Sequence, residues 1–246
     1  MGGERRPGGA ARAAIFRYGR GMCGRIVRTS PADVLAAEFG ADPPASVDSR
    51  PRWNLCPGED LLIVVQKGER RRLGTVRWGL VPWFARAAQD GPRSINARAE
   101  NVATRPPFRD AFRRHRCLVA ADGFYEWRRE GRTRQPYLVQ LRSRRPMGLA
   151  GLWERWRPPD GPPLLTGLVI TCPAAGRLAS IHDRLPVILG PEAAARWLDP
   201  TVVDPAVLHA LLVPYADDEL EIHPVSPLVN SPRNDSPECV RPAPGA

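Results

Sequence analysis

Five short apolar runs follow one another closely in the middle of the chain. Leu118–Val119, Phe124–Arg128, Tyr137–Leu141, Gly148–Trp153 and Leu165–Thr171 each read as a strand. The second and third meet across Glu130-Gly131, a hairpin turn. Strands this short and this closely spaced make an antiparallel-dominated sheet the main body of the fold.

The flanking segments add helices around that sheet. Cys23 to Arg28 reads as a short strand, and Ser30-Pro31 supplies an N-cap and an N1 proline for a helix through Phe39, closed by Gly40. Residues 41–52 read as a loop, and Leu61–Val65 and Leu73–Trp78 as a hairpin about Lys67-Gly68. Arg98–Ala103 and Phe108–Arg114 are helical candidates split by Pro106-Pro107; Pro191–Leu198 and Pro205–Leu212 are further helices, and Glu219–His223 a last strand. No repeat and no linker divides the chain. The expected fold is a single α+β domain, its antiparallel strands forming an open barrel-like sheet with peripheral helices. It spans residues 22–230, between an unstructured extension at 1–21 and a flexible tail at 231–246.

Composition narrows the function classes. No apolar run reaches the ~18 residues of a spanning helix. With no secretory signal, the expected compartment is reducing cytoplasm, nucleoid-associated in a bacterium. The formal net charge is +10, and Lys67 is the only lysine, so nearly every cation is a permanently charged, forked guanidinium suited to phosphate. Nucleic acid becomes a favoured partner. The five cysteines stand singly, without C-x-x-C, and the four histidines lack metal-ligand spacing, so neither a disulfide framework, a metal nor a cofactor is expected.

Four segments set polar residues in apolar or aromatic surroundings: Met22-Cys23-Gly24-Arg25, Ile95-Asn96-Ala97-Arg98-Ala99-Glu100, Gly123-Phe124-Tyr125-Glu126-Trp127 and Ile181-His182-Asp183-Arg184-Leu185-Pro186. Alone, each has a bland reading: a solvent-facing carboxylate, a loop histidine, a turn asparagine. Together with W-G-L-x-P-W (Trp78–Trp83) between the first and second of them and H-P-V-S after them, the ordered set resembles the SOS-response-associated peptidase (SRAP) family, whose members crosslink covalently to abasic sites in single-stranded DNA. The resemblance runs from about Met22 to about Asn230.

The resemblance implies roles position by position. Cys23 matches the family nucleophile, Asn96 the asparagine of its N-A-R motif, Glu126 the glutamate of E-W and His182 the histidine of H-D-R. Arg25, Arg98 and Arg184 match phosphate-binding arginines, with Arg105 a looser match. Trp83 and Phe84 match an aromatic wedge beside the lesion, and Pro57 a loop proline against the DNA. A cysteine with a free α-amine is a 1,2-aminothiol: the amine adds to the ring-opened sugar aldehyde, and the thiol closes a thiazolidine. Glu126, desolvated beside Trp127, would shuttle protons at the amine and assist hydrolysis of the bond before Cys23, and His182 would act at the sugar oxygen. Asn96 would position the amine or the reacting oxygen.

Cys23 stands 22 residues from the first residue of this sequence. The chemistry therefore needs either translation from Met22 or cleavage between Met22 and Cys23. Two other functions compete: a thiol peptidase acting on other proteins through Cys23, His182 and Asn96, and a non-catalytic arginine-rich single-stranded DNA binder. A monomer is expected.

Overall fold

The computed structural model describes residues 23–44, 46–87 and 94–244. The expected extension at 1–21, and Met22, lie outside them. Along the chain run β1 (Ile26–Arg28), α1 (Ala32–Glu38), β2 (Ala41–Asp42), β3 (Arg52–Leu55), β4 (Asp60–Lys67), β5 (Arg70–Trp78), β6 (Asn96–Arg98), α2 (Pro106–Arg114) and β7 (Arg116–Ala121). After these come β8 (Gly123–Glu130), β9 (Thr133–Leu141), β10 (Met147–Trp156), β11 (Leu164–Pro173), β12 (Arg184–Pro186), β13 (Ile188–Leu189), α3 (Pro191–Leu198), α4 (Pro205–His209) and β14 (Leu220–Pro224).

Two sheets result. One has the order β14-β9-β8-β1-β3; the other runs β12-β11-β10-β7-β4-β5-β2, with β13 on β10 and β6 on β11. The second sheet curls until β5 meets β11 in a short parallel pairing, Thr166 opposite Arg77 and Gly167 opposite Trp78. Gly167 permits this approach: a Cβ there would lie 2.8 Å from Val76 Cγ2 and 3.1 Å from the Leu152 carbonyl. The fold is thus α+β, an open curled sheet of mostly antiparallel strands with helices outside it.

Strand alternation decides what each face of the smaller sheet buries. Ile26 and Phe124 join the main core, with Leu118, Val119 and Ile63 of the larger sheet. Their neighbours Val27 and Tyr125 face the other way, into a second cluster with Leu138, Val225, Val229 and Cys239. That second face is covered by the chain after β14.

Residues 231–244 accordingly do not form the loose tail expected from their composition. Asp235 Oδ1 accepts from the amides of Trp53 (2.7 Å) and Asn54 (2.9 Å), and its other oxygen binds Arg52 Nε. Cys239 is fully buried, and the Ala243 amide reaches the Pro224 carbonyl at 2.9 Å. The apolar face of β1 and β8 needs a cover, and this segment supplies it.

Smaller expectations shift for similar reasons. Arg98–Ala103 is not a helix: Asn96–Arg98 pairs with Val169–Thr171 as β6, and turns follow. Ser30 does not cap α1; its hydroxyl and amide bind the Asp122 carboxylate at 2.6 and 2.7 Å. A short strand, β2, interrupts the expected 41–52 loop, and α4 stops at His209.

Asp235→Ala leaves two backbone amides and Arg52 without their acceptor. The loss should cost about 2–3 kcal/mol and lower the melting temperature by roughly 5–10 °C for a chain of this size. A melting temperature equal to that of the parent protein would show that the segment is not pinned.

Candidate functional site

β1 places the first site residue. Ile26 pairs with Phe124 and Val27 with Gly123, and the Tyr125 amide donates to the Arg25 carbonyl, so the chain before β1 runs back along β8. Cys23 therefore arrives beside Glu126, and its backbone N–H donates to Glu126 Oε1 at 2.8 Å. Both are buried, Cys23 at 1% exposure and Glu126 at 3%. Burial is the main reason that the Glu126 carboxyl is pushed up to about 8; the Asp183 charge raises it further, while the Cys23 and Trp127 amides pull it down. The desolvation does not come from the Trp127 ring. That ring packs on the opposite face of β8, with its Nε1 on Asn230 Oδ1 at 2.6 Å. The Cys23 thiol is also held well above its ordinary value, first by burial and then by the Glu126 charge.

Asn96 closes the group from the other sheet. Paired with Val169 on β11, it donates from Nδ2 to the Cys23 carbonyl oxygen at 3.0 Å. It thus holds the carbonyl of the residue. Cys23, Asn96 and Glu126 form one contiguous constellation.

His182 lies on the loop before β12, next to Asp183, whose charge reaches Glu126. Its Nδ1 is tied within that loop: the Arg184 amide donates to it at 3.1 Å, and Asp183 Oδ1 lies 3.0 Å away. The imidazole Nε2 has no partner among the described residues. Arg184 is 8% exposed. Its guanidinium grips both Glu100 oxygens, with Nη2 to Oε2 at 2.8 Å, and donates to the Thr171 carbonyl at 2.6 Å. Beside Arg184 the Glu100 carboxyl is held near 2. This pair ties the His182 loop to the turn after β6, so Arg184 stands as a clamp within the protein.

The remaining site residues divide by what they already touch. Arg98 is exposed, with no side-chain hydrogen bond or ion pair among the described residues. Arg105 is exposed at the N-terminus of α2, its guanidinium 5.7 Å from the Phe108 ring centre. Arg25 is anchored through Nη1 to Asn54 Oδ1 (2.8 Å) and the Val229 carbonyl (2.7 Å). Pro57 is half-buried in the turn after β3, where the Cys56 amide donates to Glu59 Oε2 at 2.7 Å. Trp83 and Phe84 are 59% and 50% exposed, perpendicular to each other at 5.6 Å. Two adjacent exposed aromatic rings are unusual on a protein surface without a ligand.

Some supporting residues carried little sequence signal. Glu100 stood inside a quoted motif without a role. Asn54 preceded Pro57 as one more loop-proximal polar residue, and Asp235 lay in a Pro/Ser/Asn-rich stretch. Their importance comes from partners far away in sequence. Among the described residues, no group of His, Cys, Asp and Glu is arranged to hold a metal ion, and no helix is long and apolar enough to cross a membrane.

Known proteins resemble this chain over most of its length. The chain is 40% identical over 222 residues to abasic site processing protein YoqW of Bacillus subtilis, covering 89% of this chain and 99% of that one. It is 36% identical over 228 residues to abasic site processing protein HMCES of Gallus gallus, covering 78% and 66%. A crystal structure of a Bacteroides thetaiotaomicron protein superposes with a TM-score of 0.79 at 24% identity, covering 90% of this chain and all of that one, which supports the fold. The profile described as SOS response associated peptidase (SRAP) matches residues 22–232, and the chain belongs to that family.

Proposed function

We propose that this protein processes abasic sites in single-stranded DNA by forming a thiazolidine with Cys23. The observation that carries the reading is the 2.8 Å contact between the Cys23 nitrogen and the Glu126 carboxyl, in a family whose relatives are named abasic site processing proteins. Once Cys23 is N-terminal, its α-amine and Glu126 share a proton at hydrogen-bond distance. With the proton on Glu126 the amine is neutral and adds to the sugar aldehyde. Glu126 then protonates the carbinolamine hydroxyl, which leaves as water. The Cys23 sulfur adds to the resulting imine carbon and its proton passes to the nitrogen, so the overall change is aminothiol plus aldehyde giving thiazolidine plus water. Asn96 fixes the Cys23 carbonyl and with it the direction of the nitrogen. His182 Nε2 serves the sugar oxygen.

The same contact suits self-processing. With residue 22 still attached, a protonated Glu126 is placed to give its proton to the Cys23 nitrogen as that amide is cleaved. A general thiol peptidase fits less well: burial keeps the Cys23 thiol protonated, and no hydrogen bond joins it to His182 among the described residues. On the DNA side, Arg98, Arg105, Arg25 and Arg184 are assigned to phosphates. Of these, Arg98 is the freest, while Arg184 must share its guanidinium with Glu100. Trp83 and Phe84 stack on or wedge between bases, and Pro57 lies against the strand.

Incubating protein that begins at Cys23 with an abasic single-stranded oligonucleotide should add the oligonucleotide mass minus one water. The adduct should survive denaturation without borohydride. An adduct seen only after reduction would be a plain imine and would sink the ring-closing step. A chain retaining residues 1–22 should form no such adduct, because an amide nitrogen does not add to aldehydes.

Glu126→Gln should slow both crosslinking and self-processing by ~10²–10⁴. It also has a stability signature in the unprocessed chain. The folded carboxyl titrates near 8, above its unfolded value of about 4.3. Its contribution is complete below the unfolded value and is lost as pH rises through 8. Glutamine mimics the neutral form, so the melting-temperature advantage of Glu126→Gln over the parent should widen from pH 5 to pH 9. A pH-independent difference would place the Glu126 carboxyl in water.

A further inference from the structure

Arg25 differs from the other arginines of the site in how it is held. Among the described residues only Nη1 is used, donating to Asn54 Oδ1 at 2.8 Å and to the Val229 carbonyl at 2.7 Å. Nε and Nη2 have no partner among the described residues. The guanidinium also lies 5.9 Å from the centre of the Trp127 ring. It is thus fixed at one corner, and its remaining edge keeps the two-donor geometry that matches a phosphate.

Asn54 creates this arrangement. It is fully buried on β3, where its neighbour Leu55 pairs with Ile26, the residue after Arg25. Its Nδ2 donates to the carbonyls of Val229 (3.2 Å), Ser231 (3.1 Å) and Asn234 (2.7 Å), and its amide donates to Asp235. With every donor committed to the C-terminal segment, the amide cannot rotate, and Oδ1 has a fixed direction. The Val229 carbonyl accepts from Asn54 and Arg25 at once, closing a small ring of hydrogen bonds. The Cys56 thiol donates to the Asn54 carbonyl at 3.1 Å, so the same residue borders the Pro57 turn.

We infer that Asn54 is a positioning residue for DNA binding: tethered to Val229–Asp235, it holds the Arg25 guanidinium so that Nε and Nη2 meet a phosphate of the bound strand. The C-terminal segment is then part of the nucleic-acid site although none of its side chains need touch DNA. This inference rests on the reading that Arg25 faces single-stranded DNA.

The test is a double-mutant cycle on reversible binding. The probe is a single-stranded oligonucleotide carrying a tetrahydrofuran abasic analogue, which has no aldehyde and cannot crosslink. Arg25→Ala and Asn54→Ala should each weaken binding about ten-fold. Each should flatten the salt dependence by about 0.7, the share of one phosphate contact on a single strand. In the Arg25→Ala background, Asn54→Ala should add less than about two-fold. Arg25→Lys keeps the charge but has no fork, and should bind like Arg25→Ala. This variant leaves Asn54 in place and decides the question if Asn54→Ala does not fold. Losses that multiply across the cycle, or an Arg25→Lys protein that binds like the parent, would overturn the positioning role. A parent protein beginning at Cys23 that binds this probe but gives no adduct with an aldehyde-bearing oligonucleotide would overturn the crosslinking reading alone. A parent protein that binds neither would overturn both.

Discussion

The site depends on the insertion of a three-residue strand between two others. β1 pairs antiparallel with β8 on one edge and β3 on the other. So short a strand forms few ladder bonds. What holds it is burial on both faces: Ile26 enters the core between the sheets, and Val27 enters the cluster beneath the C-terminal segment. Each such side chain is worth about 1.5–3 kcal/mol of apolar burial. At the far end of the strand, Asp122 gathers the amides of Thr29 and Ser30 and stops the chain from sliding. Cys23 inherits its position from this register. A shift of one residue would turn it to the opposite face and away from Glu126.

The same geometry explains the state of the site's acid. Glu126 follows Phe124 on the inward face of β8, so a carboxyl occupies a position that the sheet otherwise fills with apolar side chains. A charged form there has lost its water, and the two backbone amides that reach it do not compensate. The group keeps its proton near neutrality and sits against the Cys23 nitrogen. A solvent-facing carboxylate at the same strand position would have neither property.

Charge in this protein is better understood residue by residue than as a total. Much of the arginine content is structural. Arg116 is buried and donates to five carbonyls around the ends of α2 and α3. Arg52 joins Glu59 to Asp235, and Arg184 joins the His182 loop to Glu100. Arg98 and the Nε/Nη2 edge of Arg25 are a different kind of cation, with no hydrogen bond or ion pair among the described residues. A net charge of +10 therefore overstates the surface offered to a polyanion, and the direction of each guanidinium matters more than the count.

Local pattern was enough for the strands of the central hairpins, for α3 over Pro191–Leu198, and for the ordered motifs that mark the family, because turns, alternation and motif spacing are written in neighbouring residues. Through the family resemblance, those motifs also singled out Cys23, Asn96 and Glu126, which the fold brings into direct contact. Other features were decided only by distant partners. Asn96–Arg98 became a strand because β11 offered an edge to pair with, and the helix expected over Arg98–Ala103 gave way to turns. The Pro/Ser/Asn-rich end became a structural cover because the outer face of β1 and β8 was apolar and Asp235 found amides some 180 residues away in sequence. Asn54 and Glu100 gained their roles in the same way, and Arg184 turned inward to meet one of them. Each outcome depends on a buried polar group finding its partner across the fold, and a sequence read along its length does not contain that pairing.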